Sequence, residues 1–279
     1  MGWYELNDSE LRKEFYEQWQ FLISESRPER DYHQFLKQHA NLFLLCGHHT
    51  YFVISKLKLG SEFEVDFAIP EERHSRGLFW ELIEIEKPQD SPFNKDGMPS
   101  AALTRATQQV RDWRRWLQEH RSQVLRLFGV HGVRASRYPN FNFTIVIGTR
   151  GNSKKWLEKR NQYSDETGVE VRSFDYLGDV LMRRVFTDKA MLGSGTWDFE
   201  NPELGKRLAN PFMEALTDSQ WKGLLQQPGV GSPHFVSSVA EYLDTVWVEN
   251  HEARKRFEDQ HPSVAVQQIV ASNVAELRR

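Results

Sequence analysis

Apolar residues at helical spacing open the chain: Leu11, Phe15, Trp19 and Leu22 recur behind Asn7, Asp8 and Ser9, which can cap a helix. Arg27-Pro28 breaks that helix, and Tyr32, Phe35 and Leu36 predict a second over 30–39. The period then changes. Residues 51–59 are rich in β-branched and aromatic types, and Gly60-Ser61 offers a turn. Phe63, Val65, Phe67 and Ile69 then alternate with Glu62, Glu64, Asp66 and Ala68. The polar run 70–77 turns the chain again, 78–86 resumes as a strand, and Pro88 ends it. An antiparallel meander of three strands is expected.

A long helix is predicted over 100–120, then a strand at 141–149 whose apolar centre suits burial on both faces. A basic helix over 153–163, a strand over 169–174, and a helix capped by Asp175 and running to about Phe186 complete the succession. It predicts an α/β fold with a mixed sheet between helices. Beyond Asp188 turns punctuate the chain at Gly193-Ser194-Gly195, Asn201-Pro202 and 227–233, with helices expected over 211–226 and 234–258. The organisation expected is an N-terminal helix at 1–30, a core domain at 31–188 and a helical C-terminal extension at 189–279.

Composition narrows the classes. Hydrophobic residues make up 39% and aromatics 13% of the 279 residues, enough for a core and too many for a disordered chain. With a net charge of -3 and a pI of about 6.4, any nucleic-acid surface must be a local patch. Cys46 is the only cysteine, which excludes a disulfide framework and a cysteine-rich zinc site. The acidic N-terminus does not read as a signal peptide, and no run of eighteen apolar residues occurs, so a cytoplasmic protein without membrane spans is expected.

The strands carry the candidate chemistry. Glu84 and Glu86 share one face of the third strand, with Ile83 and Ile85 on the other, and period two sets Asp66 beside Glu62 and Glu64. A sheet face holding Asp66, Glu84 and Glu86 would gather three carboxylates whose repulsion a hard divalent cation offsets. Mg²⁺ is the commonest candidate, with Mn²⁺ a substitute. Such acids otherwise form the polar outer face of a hairpin, but these punctuate Phe-Val-Phe and Trp-Leu-Ile-Ile.

On the following helix Arg105, Gln109, Trp113 and Trp116 fall along one face, and Arg111, Arg114 and Arg115 add charge suited to phosphates. The competing reading packs the Trp residues on the sheet and leaves a solvated basic flank. Lys154, Lys155, Lys159 and Arg160 read as a solvated face, and His48, His49 and His74 as loop histidines. There is no Walker-type phosphate loop.

The order Asp66, a turn, Glu84-Ile85-Glu86-Lys87-Pro88, then a helix bearing Gln109, resembles the PD-(D/E)XK (restriction-endonuclease-like) nuclease superfamily. More narrowly, FLKQHANLF, LKLGSEFEVDFAI, WELIEIEKP, PSAALTRATQQVRDWRRWL, TIVIGTR and VRSFDYLGD together resemble the nuclease domain of the Shedu anti-phage defence family, over roughly 31–186. The resemblance implies a metal-dependent DNA endonuclease acting on foreign or phage DNA as a homo-oligomer. It implies Asp66, Glu84 and Glu86 as Mg²⁺ ligands, Gln109 at the site, and Arg105, Arg111, Arg114 and Arg115 on DNA. In that superfamily a lysine stands two residues after the second acid. Here Glu86 holds that position and Lys87 follows it, on the opposite face of a regular strand. Either a bulge at Ile85-Glu86 turns Lys87 inward, or Glu86 replaces the lysine as a third carboxylate; Glu86 is favoured. A third reading is a site that binds without cutting. Periodicity does not choose between Gln108 and Gln109.

Overall fold

The computed structural model describes residues 9–44, 52–73, 76–128, 138–153, 156–183, 204, 207–209, 255 and 259. Cys46, His48, His49, His74, Lys154, Lys155 and nearly all of the helices expected over 211–226 and 234–258 lie outside them. Three helices, α1 (Ser9–Ser24), α2 (Glu29–Gln38) and α3 (Ala40–Phe43), precede three strands, β1 (Ile54–Leu59), β2 (Phe63–Glu72) and β3 (Leu78–Ile85). Helices α4 (Ala101–Glu119) and α5 (Arg121–Leu127) lead to β4 (Asn140–Val146). Then come α6 (Arg150–Ser153), α7 (Leu157–Thr167), β5 (Glu170–Arg172) and α8 (Phe174–Arg183).

The strands form one sheet in sequence order. β1, β2 and β3 are the expected antiparallel meander, and β3, β4 and β5 pair in parallel across helical connections. The fold is thus α/β with a mixed sheet. On one face Phe15, Trp19, Tyr32, Leu36, Phe174 and Leu177 of the first helices and α8 cover Phe67, Ile69, Ile83, Ile85 and Val146. The Trp19 indole donates to the Phe174 carbonyl at 3.0 Å, so α1 is tied into this layer. On the other face Leu103, Ala106, Val110, Trp113 and Trp116 of α4 cover Leu57, Val65, Trp80, Leu82 and Ile145. Ser100 caps α4 by accepting the Leu103 N–H at 3.2 Å.

Three expectations need correction. The helix expected over 153–163 runs Leu157–Thr167, where Gly168 ends it in the left-handed conformation (φ 64°) that glycine adopts freely. Asp175 lies inside α8 rather than at its cap, and its carboxylate accepts the Arg150 backbone N–H instead. Trp113 and Trp116 are buried against the sheet, whereas Arg105 is exposed and Gln109 half-buried, so the four positions of that face do not act together. The split runs along the helix rather than around it: Arg105, near the N-terminal end of α4, reaches Glu86, while the two Trp residues lie two to three turns further on.

Gly60 (φ 64°) makes the β1–β2 turn directly against α4, where an added Cβ would meet Trp116 Nε1 at 3.1 Å. Residues 207–209 lie along the outer edge of β1. Ser55 N–H donates to the Arg207 carbonyl at 2.7 Å, and Ala209 N–H to the Val53 carbonyl at 2.8 Å. Among the described residues no helix is long and apolar enough to cross a membrane.

Candidate active site

Both ladders of β2 are interrupted at Asp66. The β1–β2 register would set Lys56 opposite it, yet pairing passes from Ser55↔Phe67 to Leu57↔Val65. The β2–β3 ladder runs only as far as Phe67↔Ile83. Beyond that pair the Ile85 N–H donates to the Asp66 side chain, Oδ2, at 2.8 Å. A carboxylate thus takes the place of a backbone acceptor, and the strands fork. Side-chain alternation changes at the same point: Val65 packs on the α4 face, Phe67 and Ile69 on the α1 face, and β1 makes the same change between Ile54 and Leu57. The period-two alignment of Glu62, Glu64 and Asp66 therefore fails. Glu62 belongs to the turn and Glu64 is exposed, while Asp66 is buried.

Three acids are buried at the open end of this fork: Asp66 (6% exposed), Glu84 (9%) and Glu86 (4%). Glu84 Oε2 is buried and has no hydrogen-bond partner among the described residues. Burial, then the charges of Asp66 and Glu86, push the Glu84 carboxyl well above the ordinary range, and Lys56 opposes them. Glu86 is raised by burial and held back by Arg105, whose guanidinium donates to its Oε2 at 3.0 Å. A fourth acid, Glu29 in the first turn of α2, feels burial and Asp66 and is raised as well.

Charge of the opposite sign comes from a residue that the motif did not single out. Lys56 Nζ is paired with Asp66 Oδ1 and stands 3.6 Å from Glu64 Oε1. Burial lowers the Lys56 pKa, but the Asp66, Glu64 and Glu84 carboxylates outweigh it and hold it raised. Lys87 is exposed, and no bulge turns it inward: β3 ends at Ile85, and Glu86 N–H continues the β4 ladder to the Val146 carbonyl at 2.9 Å. His33 stacks on Phe67 at 4.6 Å and sets Nε2 3.4 Å from the Asp66 carbonyl.

The arginines of α4 divide. Arg105 holds Glu86, and Arg111 is exposed. Arg115 pairs with Asp112 at 2.7 Å. Arg114 donates to the Thr167 and Gly168 carbonyls at 2.7 and 2.5 Å, over the Phe143 ring, so it ties α4 to the turn before β5. Gln108 donates to Asp112 at 3.2 Å, and half-buried Gln109 lies one turn beyond Arg105.

Among the described residues no three His, Cys, Asp or Glu side chains form a ready-made metal cage. What the fork offers a cation is two hard oxygen donors, Asp66 and Glu84, one with an oxygen that no other described residue satisfies. That fits Mg²⁺, which keeps several waters and needs only one or two carboxylates. Glu29 and Lys56 were missed for different reasons. Glu29 reads as an ordinary first-turn acid. Lys56 was legible: a hairpin centred on Ser61 sets position 56 opposite 66.

A family model described as Shedu protein SduA, C-terminal, matches residues 26–177, just over half of the 279. No curated protein matches the chain.

Proposed function

Because this chain belongs to the family of the Shedu protein SduA C-terminal region, a membership that suggests anti-phage defence, we propose that it is a Mg²⁺-dependent DNA endonuclease of the PD-(D/E)XK type. The observation that carries this reading is the partnerless oxygen of Glu84 beside Asp66 at the fork. A buried unsatisfied carboxylate is costly, and a fold keeps one where function requires it.

Asp66 and Glu84 would hold the cation, which when bound lowers the pKa of a water and shields the phosphoryl oxygens. Asp66 is fixed for this by the Ile85 N–H. Glu86, oriented by Arg105, would be the acceptor for the attacking water. The water oxygen bonds to phosphorus, the bond to one sugar oxygen breaks, and the water's proton passes to the carboxylates and on to solvent. Solvent returns a proton to the leaving oxygen. Arg105 and exposed Arg111 supply charge for the phosphate backbone, and Gln109 an amide on the same flank. The phage or other foreign DNA as substrate and assembly into a homo-oligomer belong to the same proposal.

A second reading, a nuclease fold that binds DNA without cutting it, draws on the Lys56–Asp66 pair, which neutralises the acid without a metal ion. Incubation of the full chain with plasmid in Mg²⁺, Mn²⁺ or EDTA separates the two. Metal-dependent nicking that Asp66→Ala and Glu84→Ala each reduce by about a thousand-fold supports the enzyme. Nicking unchanged by either substitution sinks it, and metal-independent binding without nicking favours the second reading.

A further inference from the structure

Among the described residues Lys56 is the one non-glycine residue with a positive φ, 55°. A long side chain in left-handed backbone is strained by its Cβ, so the surroundings must enforce it. They do so at both ends of the residue. The side chain is paired with Asp66 and lies near Glu64. The main-chain carbonyl accepts the Arg207 guanidinium. Arg207 is itself pinned to the β1 edge through the Ser55 N–H, beside the buried side chains of Leu204 and Leu208.

We propose that Lys56, not Lys87, is the lysine of the acid site, standing in for the cation on Asp66, and that Arg207 is a positioning residue that holds it there. This rests on the endonuclease reading above. An ammonium and a divalent cation compete for Asp66 Oδ1, because both are positive and the oxygen is single. With a cation held at Asp66, Lys56 would keep Glu64, 3.6 Å away, as its partner and would offer its charge to an anionic phosphate. Lys56 makes and breaks no covalent bond. The strained backbone keeps the amine close to the acids after it has left Asp66. The segment around Arg207 thereby sets the geometry of a residue about 150 positions earlier, through the contact between residues 207 and 56.

The test uses the full chain, Mn²⁺ alone in titration calorimetry, and plasmid nicking. Lys56→Met is expected to tighten Mn²⁺ binding about ten-fold by removing the competing charge, yet to slow nicking about a hundred-fold. Lys56→Gly, which relieves the left-handed strain, guards against a folding defect and should behave alike. Arg207→Ala should move both readouts the same way by less, lowering kcat more than it raises KM, and Arg207→Lys should recover part of the loss. Lys87→Met should lose less than Lys56→Met. Two results overturn the inference while the nuclease reading stands: both Lys56 variants matching wild type in Mn²⁺ affinity and nicking, or Lys87→Met being the more damaged. Wild type that neither binds Mn²⁺ nor nicks overturns both together.

Discussion

Two acids three residues apart on β3 are housed in opposite ways. Glu81 lines a cavity of about 740 Å³ on the α1 face, among Phe43, Ile69, Ile83, Thr144 and Leu177. Burial raises its pKa, but Thr144 Oγ1 donates to its carboxylate. The neighbouring charges are matched as well, Glu71 with Arg73 and Glu170 with Arg172. Glu84 is desolvated too, yet it faces Asp66 and Glu86 and keeps an oxygen with no partner. Desolvation alone does not mark a site. Glu81 is a half-buried acid that Thr144 and Asn142 satisfy, and Glu84 is a buried one left open.

The contrast predicts its largest effect in cleavage. Glu84→Gln should lower metal-dependent nicking by about a thousand-fold, since a neutral amide holds a divalent cation poorly. Glu81→Gln should stay within about two-fold of wild type, because its oxygens answer to Thr144 and not to the fork. Comparable losses from both substitutions would break the distinction.

Much of the fork could be read from the chain. The meander, the long helix α4 and the opposite faces of Glu84 and Ile85 all follow from periodicity and turn chemistry, which are local. What escaped was non-local. The change of face at Asp66 depends on a left-handed lysine in the neighbouring strand, and that backbone depends on Arg207, far along the chain. Period two assumes an uninterrupted ladder, so it set Glu62 and Glu64 with Asp66 and could not foresee the fork. The arginines of α4 were assigned by charge alone. Only packing reveals that Arg114 is spent on the Thr167 and Gly168 carbonyls.

An acid titration of stability compares the two carboxylates directly only after a histidine between the α1 and α2 layers is dealt with. His39 is ringed by Phe15 and Phe35 at 5.2 and 4.4 Å, its Nδ1 is without a partner, and burial pushes its pKa from 6.5 down to about 4. For a base with a depressed folded pKa, the unfolded chain takes the proton first. Stability is therefore intact above pH 6.5 and is lost as pH falls from 6.5 towards 4, by at most about 3 kcal/mol. Glu81 works the other way: an acid with a raised folded pKa is a liability above that pKa, and the liability fades as pH falls to its ordinary 4.5. Urea unfolding followed by tryptophan fluorescence at pH 7 and pH 5 should show the loss in wild type, and His39→Leu should remove most of it. An unchanged pH dependence in His39→Leu would assign the loss elsewhere.

The smallest effects are the most discriminating, because their signs differ. Thr144→Val takes away one of the two side-chain donors to half-buried Glu81 and should destabilise by about 1 kcal/mol, the usual net worth of a hydrogen bond. Glu84→Gln removes a charge that the fold does not satisfy, relieving its repulsion with Asp66 and Glu86, and should stabilise by about 1 kcal/mol. Both are read at pH 7 without metal, as shifts of the urea midpoint at constant slope. A substitution that strengthens the fold while abolishing nicking is what an acid kept for chemistry must show. If Glu84→Gln instead destabilises as Thr144→Val does, then Glu84 is a structural acid like Glu81, and the fork loses its claim to be the active site.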